Sequence, residues 1–249
     1  MVIALPPQFQ AQMLSDIAEF DNIKKIILEK PVAPTAKTAI NLFDRNYLES
    51  KQVRVAYLFI QLDWYVLLKR ALSQSFSDIR ITWKFAANHI TNNKETWKRY
   101  HSQGGGPLRF YGIHLIAVLA SLGYKFVSNS ILSGQFEDQP TSWHSQFRGE
   151  QVPECEITIA TNSPAEEFSI MAIDRTGRQC DVYSAHSPFS HGLEDGQDNR
   201  VPILMELITS FKNQNTQYYD LYKNTLGLWQ EVEALCATNS NVSINIDDV

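Results

Sequence analysis

The sequence predicts an α+β fold in which helical N- and C-terminal segments pack on a central, mainly antiparallel β-sheet. Three observations carry this expectation. Ile79, Ile81, Trp83 and Phe85 alternate with Arg80, Thr82 and Lys84, the two-residue period of a strand with one buried face. Residues 155–161 and 168–184 are rich in β-branched and aromatic side chains. The second run is interrupted by turn chemistry at 174–177, so it reads as a hairpin. Near the end of the chain, Ile203, Leu204, Leu207, Ile208 and Phe211 form one helical stripe, and Tyr218, Leu221, Tyr222, Leu228, Trp229, Val232 and Leu235 form another.

The remaining elements follow in order. Phe9, Met13, Ile17, Phe20 and Ile27 recur at helical spacing and predict a first helix, ended by Pro31 and Pro34. Residues 31–34 are a short connector, after which Thr35 starts a helix carrying Ile40 and Phe43. Across 53–71, Val53, Tyr57, Ile60, Trp64, Leu67 and Ala71 form a stripe flanked by Leu58, Phe59, Leu62 and Val66. That pattern predicts a helix buried nearly all round, with Lys69 and Arg70 at the negative end of its dipole. Residues 107–122 read as a helix with Pro107 in its first turn and Gly123 just past its end, and 124–132 as a strand. The chain divides into a helical region 1–77, a mixed region 78–199, C-terminal helices 200–238 and an acidic tail 239–249 expected to fray, all within one compact domain.

Composition excludes disorder as the main state: 249 residues with 44% hydrophobic and 20% charged content can bury a substantial core. The first ten residues lack the basic and apolar blocks of a secretory signal. The longest apolar runs fall short of the roughly 20 residues a bilayer requires, so the chain is expected to be soluble and to engage no membrane. Cys155, Cys180 and Cys236 are odd in number and widely spaced, which points to a reducing, cytoplasmic setting.

Charge is the most uneven property. Residues 80–125 hold Arg80, Lys84, Lys94, Lys98, Arg99, Arg109 and Lys125 against the single acid Glu95, within a chain of net charge −5. Trp83, Trp97, Tyr100, Phe110, Tyr111 and Tyr124 lie among them, and single-stranded nucleic-acid binders combine cations with flat rings in this way. The expected function is therefore a binding protein for an anionic partner, nucleic acid or another polyanion first. Lys94, Trp97, Lys98, Arg99, Tyr100 and Arg109 are the candidate contacts. The competing reading makes the rings core residues and the cations a solvated face. An assembly or adaptor protein, with a protein partner or a second copy of itself, is the alternative from another class.

Gly104, Gly105 and Gly106 precede Pro107 inside the same stretch. The phosphate loop GxxxxGK[ST] is absent, since Pro107, Leu108 and Arg109 follow, and the spacing is wrong for GxGxxG. The glycines either form a hinge into the next helix or bring free backbone N–H groups and Arg109 to an anion.

The segment 185–202 contains His186, Pro188, Ser190, Gly192 and Asn199 in that order before a helical stripe, and it resembles the loop of HNH nucleases. The resemblance implies a metal-dependent phosphodiesterase in which His186 activates water and Asn199 orients the loop, with a divalent metal as cofactor. Ala185 stands where that family has an acid. A metal site built from His186, His191 and Asp195 without nuclease activity is a further alternative.

Overall fold

The computed structural model describes residues 1–43, 51–190, 200–212 and 216–239. Its β structure falls into two sheets. The smaller is wholly parallel, in the order β1 (Val2–Ile3), β2 (Lys25–Leu28) and β3 (Gln52–Val55). Along the chain, α1 (Pro7–Ala18) separates β1 from β2, and α2 (Ala36–Phe43) lies between β2 and β3. Parallel strands need such crossovers because a two-residue turn cannot reverse the chain twice.

The larger sheet runs in the order β5 (Tyr124–Ser133), β6 (Ser142–Gly149), β7 (Glu154–Ala160), β4 (Phe76–Ala86), β8 (Asn162–Asp174) and β9 (Gln179–Ala185). Its centre is mixed, since β4 is parallel to β7 and antiparallel to β8. The α+β expectation holds at the level of helices packed on β structure. The expectation of one mainly antiparallel sheet is corrected to a mixed central sheet beside a small parallel one.

The small parallel sheet lies within the first 72 residues. Ile26, Ile27 and Leu28 of β2 are all buried, so this strand is covered on both faces and lacks the alternation that marked β4. Ile27 therefore continued the expected helical stripe by coincidence. Helix α1 stops at Ala18 and turns Leu14 and Ile17 inward, while Phe9 and Phe20 are more than half exposed. The single buried helix expected over 53–71 is instead β3, a 3-10 turn (Leu58–Gln61) and α3 (Asp63–Leu72). Val66 and Leu67 are exposed. Lys69 and Arg70 do occupy the last turn of α3. Thr35 caps α2 as expected, its Oγ1 accepting the Thr38 N–H at 3.2 Å.

In the large sheet, the strand period read over 79–85 and the β runs at 155–161 and 168–184 appear as β4, β7, β8 and β9. Inward-facing Ile81 pairs with Ile157 on one side and Ile170 on the other, and Trp83 with Ile159 and Phe168. All six are buried, and each such side chain stabilises the fold by about 1.5–3 kcal/mol. The expected hairpin at 168–184 is β8 and β9, turning through Gly177 at φ 83°. A short helix α4 (Asn88–Thr91) follows β4. The glycine run then leads into a π-helical turn (Pro107–Gly112) and α5 (Ile113–Ser121), whose residues from Ile113 to Ala120 are all buried. Leu122 caps it and Gly123 follows at φ 96°.

α6 (Arg200–Thr209) contacts the Leu58–Gln61 turn, and α7 (Thr216–Asn239) packs on β5, α5 and α2. Arg54 of β3 is fully buried, with Nε donating to Ser210 Oγ at 2.9 Å and its guanidinium 3.7 Å from the Tyr218 ring centre. The small sheet is thereby fastened to the C-terminal helices.

Candidate active-site cleft

The three parallel strands end at the same place. Ala4, Leu5 and Pro6 follow β1, Glu29 and Lys30 follow β2, and Ala56 and Leu58 follow β3, and all of them line one cavity of about 650 Å³. In open α/β sheets, ligands bind in the crevice outside the carboxyl ends of the strands. The opposite wall comes from the large sheet and the segment packed on it: Trp83, Trp97, Lys98, Phe110, Tyr111 and His114.

Lys30 is placed by β2 at the mouth of this cleft, in front of a cis Lys30–Pro31 peptide. Its Nζ donates to the Phe110 carbonyl oxygen at 2.7 Å and stands 3.9 Å from the centre of the Phe110 ring. Among the described residues it forms no ion pair. Burial lowers its pKa to about 7; Glu29 opposes the shift and Lys98 adds to it. A lysine so placed exchanges a proton near neutrality, which an exposed lysine does not.

His114 projects from the first turn of α5 and stacks on Phe59, with ring centres 4.4 Å apart. Its Nδ1 is buried and, among the described residues, has no hydrogen-bond partner. Burial first, then the Lys30 charge, hold its pKa well below the usual histidine range, so it is neutral. The π-helical turn that presents Phe110 is seated by Gly112, where a Cβ would stand 2.6 Å from Trp143. Trp83 meets Tyr111 edge to face at 5.5 Å, and Trp97 meets Phe110 at 5.3 Å.

The structure brings together only part of the sequence-derived set. Trp97 and Lys98 line the cleft. Lys94 is exposed, and Arg99 donates to Asn93 Oδ1 at 2.7 Å and to Gln139 Oε1 at 3.0 Å. Tyr100 donates to Glu95. Arg109 is buried, its Nε 2.7 Å from Glu233 Oε1, and it donates also to the His101 carbonyl oxygen. The N–H groups of Gly104 and Gly105 donate to the His101 and Tyr100 carbonyl oxygens, so they are committed within the chain. Gly106, at φ 79°, borders a smaller cavity of about 250 Å³ with His89, Lys98 and Arg99. His186 is exposed just past β9, while His191, Asp195 and Asn199 lie outside the described residues. Among the described residues no cluster of His, Cys, Asp or Glu could hold a metal ion.

No protein-family model and no curated sequence matches the chain. Solved structures do. The WlbA dehydrogenase from Bordetella pertussis, in complex with NADH and UDP-GlcNAcA, superposes with a TM-score of 0.65 at 13% identity, over 94% of this chain and 77% of its own. The super-repressor mutant of Gal80p from Saccharomyces cerevisiae gives 0.69 at 13% identity, over 96% and 77%. Levoglucosan dehydrogenase, in complex with NADH and levoglucosan, gives 0.66 at 15%, over 95% and 77%. The chain shares its fold with these structures.

This finding corrects the nucleic-acid reading, and with it the polyanion, nuclease and assembly alternatives and the partners they implied. Two of the structures that share the fold are complexes of a nicotinamide nucleotide with a sugar compound. The physical reason for the error is visible in the basic stretch. Arg80 pairs with Glu156, Lys84 with Glu167, Arg109 with Glu233 and Lys125 with Glu150, so acids from the rest of the chain answer the local excess of cations. Trp83 and Tyr124 are core residues. Among the described residues no helix is long and apolar enough to cross a membrane.

Lys30 and His114 are the site residues that sequence reasoning missed. The available signal was the order of residues in IILEKP: a short apolar run, hence a buried strand, ending directly in a charged residue before proline.

Proposed function

We propose that the cleft is a sugar site of the dehydrogenase kind, in which Lys30 holds a substrate hydroxyl and exchanges its proton. The observation that carries this reading is the position of Lys30, at the carboxyl end of a parallel strand, opposite an aromatic wall and with a pKa near 7. Interconversion of an alcohol and a carbonyl moves the hydroxyl proton and, separately, a hydride that a redox partner must take or give. Lys30 serves the proton part only, and a group titrating near the working pH transfers that proton best. Trp97, Phe110 and Tyr111 supply an aromatic wall against which a sugar ring can pack, and Lys98 and the neutral His114 line the same cleft as polar groups. A cytoplasmic setting belongs to the same proposal, supported by three free cysteines.

The residues present do not fit the pyrophosphate of a dinucleotide. That group needs a glycine turn leading into a helix N-terminus. The turns after the three parallel strands contain no glycine, and α1 opens on Pro6 and Pro7, which have no N–H to donate. In a second reading the cleft binds its sugar without turning it over.

Calorimetric titration with glucuronic acid, N-acetylglucosamine and levoglucosan tests the site, and NADH fluorescence during incubation with NAD tests turnover. The site reading expects saturable heat from at least one sugar, lost in Lys30→Met with no change in melting temperature. Equal heats from the two proteins refute it. NADH formation by the wild type alone selects the first reading over the second.

A further inference from the structure

We propose that Lys30 is a reactive amine that condenses with the aldehyde or ketone carbonyl of a ligand in the cleft, forming an imine. The inference rests on the cleft being a ligand site and goes beyond proton exchange. Its balance is simple: the Nζ lone pair forms the C–N bond, the carbonyl oxygen departs, and the two amine protons leave with it as water. No oxidant or reductant is involved.

Three features of the geometry point to this chemistry. Nζ is anchored through one donated hydrogen bond to the Phe110 carbonyl oxygen, and among the described residues no carboxylate lies within ion-pair distance to hold it as ammonium. The walls around it are mainly apolar: Leu58, Trp83, Trp97, Phe110, Tyr111 and Phe189. Such walls disfavour the charged amine and limit the water that hydrolyses an imine. Lys98 lines the same cleft, with Nζ 5.0 Å from the Phe110 ring centre, and adds like charge. Desolvation in an apolar pocket and a neighbouring cation are the two devices by which lysines become nucleophiles. The lowering of the Lys30 pKa to about 7 agrees with both.

Reductive trapping with D-glyceraldehyde and sodium cyanoborohydride tests the proposal, since hydride converts an imine to a stable secondary amine that peptide mass mapping locates. Exposed Lys24, Lys94 and Lys223 are internal references. At pH 7 Lys30 is expected to label about tenfold faster than these or more, because an ordinary lysine, with a pKa of about 10.4, is almost wholly protonated there. Labelling of Lys30 should decline below pH 7 and slow when the cleft is first filled with the sugar that gives heat by calorimetry. In Lys30→Arg, label in the cleft should disappear while the references keep their rates. Comparable rates at Lys30 and the three references overturn the proposal. If the sugar still binds in that case, the covalent step alone is wrong; if nothing binds, the cleft reading falls with it.

Discussion

The two sheets differ in what covers them. The small parallel sheet has its middle strand buried on both faces from Ile26 to Leu28 and ends its strands together at the cleft. The large sheet buries one face under α5 and α7, while its other face carries the exposed pairs Arg80–Glu156 and Lys84–Glu167. Lys30 and His114, whose pKa values burial lowers, stand where the strands of the first sheet meet the wall supplied by the second, and the segment richest in cations is largely neutralised by acids elsewhere in the chain. The cleft is made at strand ends, whereas local charge density marks residues that pair within the chain.

The largest way to break the arrangement is to cut the staple between the two regions. Glu233 on α7 accepts the Arg109 Nε–H at 2.7 Å and the Ala36 N–H at 3.1 Å, and so joins the π-helical turn of one region to α2 of the other. The Arg109 and Glu233 side chains are 10% and 16% exposed. Arg109→Ala leaves a largely buried carboxylate without its partner, at a cost of about 3–5 kcal/mol. Urea denaturation should show a large fall in midpoint, and Lys30 should lose its perturbed titration as Phe110 shifts. A midpoint close to that of the wild type would mean the two regions do not depend on this pair.

A smaller effect separates two kinds of glycine. A Cβ on Gly105 would stand 2.4 Å from the Trp97 carbonyl oxygen and 2.6 Å from the Lys98 carbonyl carbon, so backbone must move. At Gly177, in the β8–β9 turn, a Cβ has open space and the only obstacle is φ 83°. Gly105→Ala is expected to cost about 2–3 kcal/mol through overpacking, and Gly177→Ala about 1 kcal/mol through its left-handed backbone. Calorimetric titration sharpens the contrast, because only the first should weaken sugar binding, through Trp97 and Lys98.

The same division explains what the sequence disclosed. β4, β7, β8 and β9 were legible because one face is wet, and a half-buried strand writes its period into the sequence. β2 was not, since a strand covered on both faces shows an unbroken apolar run that a short helix also shows, and β3 was not, since its four residues, QVRV, run straight into the apolar stretch that follows and merge with it into one helical stripe. β6 escaped notice too: Trp143, Ser145 and Phe147 point inward with His144, Gln146 and Arg148 between them, and the polar Ser145 breaks the apolar alternation. Lys30 was hidden for a related reason. Its significance comes from standing at the end of β2, and that position becomes visible only once β2 is recognised as a strand.

Acid is expected to destabilise the fold through His89, beside the smaller cavity, and His101, in the segment before the glycines. Burial first, then Lys98 and Arg99, lower the His89 pKa to about 4. Burial, then Arg109, opposed by Asp138, lower that of His101 to about 3. Both stay neutral in the folded chain while the unfolded chain takes up their protons near pH 6.5. The stability they contribute is therefore present above pH 6.5 and is lost as the pH falls toward 4 and then 3. His89→Gln should flatten the dependence of the urea midpoint on pH between 6.5 and 4. An unchanged slope would show that His89 protonates freely in the folded state.

The smallest effect belongs to the outer pairs. Lys125 and Glu150 lie 2.9 Å apart at the β5–β6 end of the large sheet, with side chains 57% and 70% exposed. Water screens such a pair, and holding two long side chains in one geometry costs entropy that offsets most of the attraction, so Glu150→Ala should change stability by about 0.5 kcal/mol or less. Added salt should erase even that difference, whereas the loss in Arg109→Ala should persist at high salt because its partner is shielded from counterions. A double-mutant cycle on Lys125 and Glu150, run at low and high salt, measures the coupling directly. A salt-resistant coupling as large as that of Arg109 with Glu233 would mean the outer face is as enclosed as the inner one, and the contrast between the two faces of the large sheet would collapse.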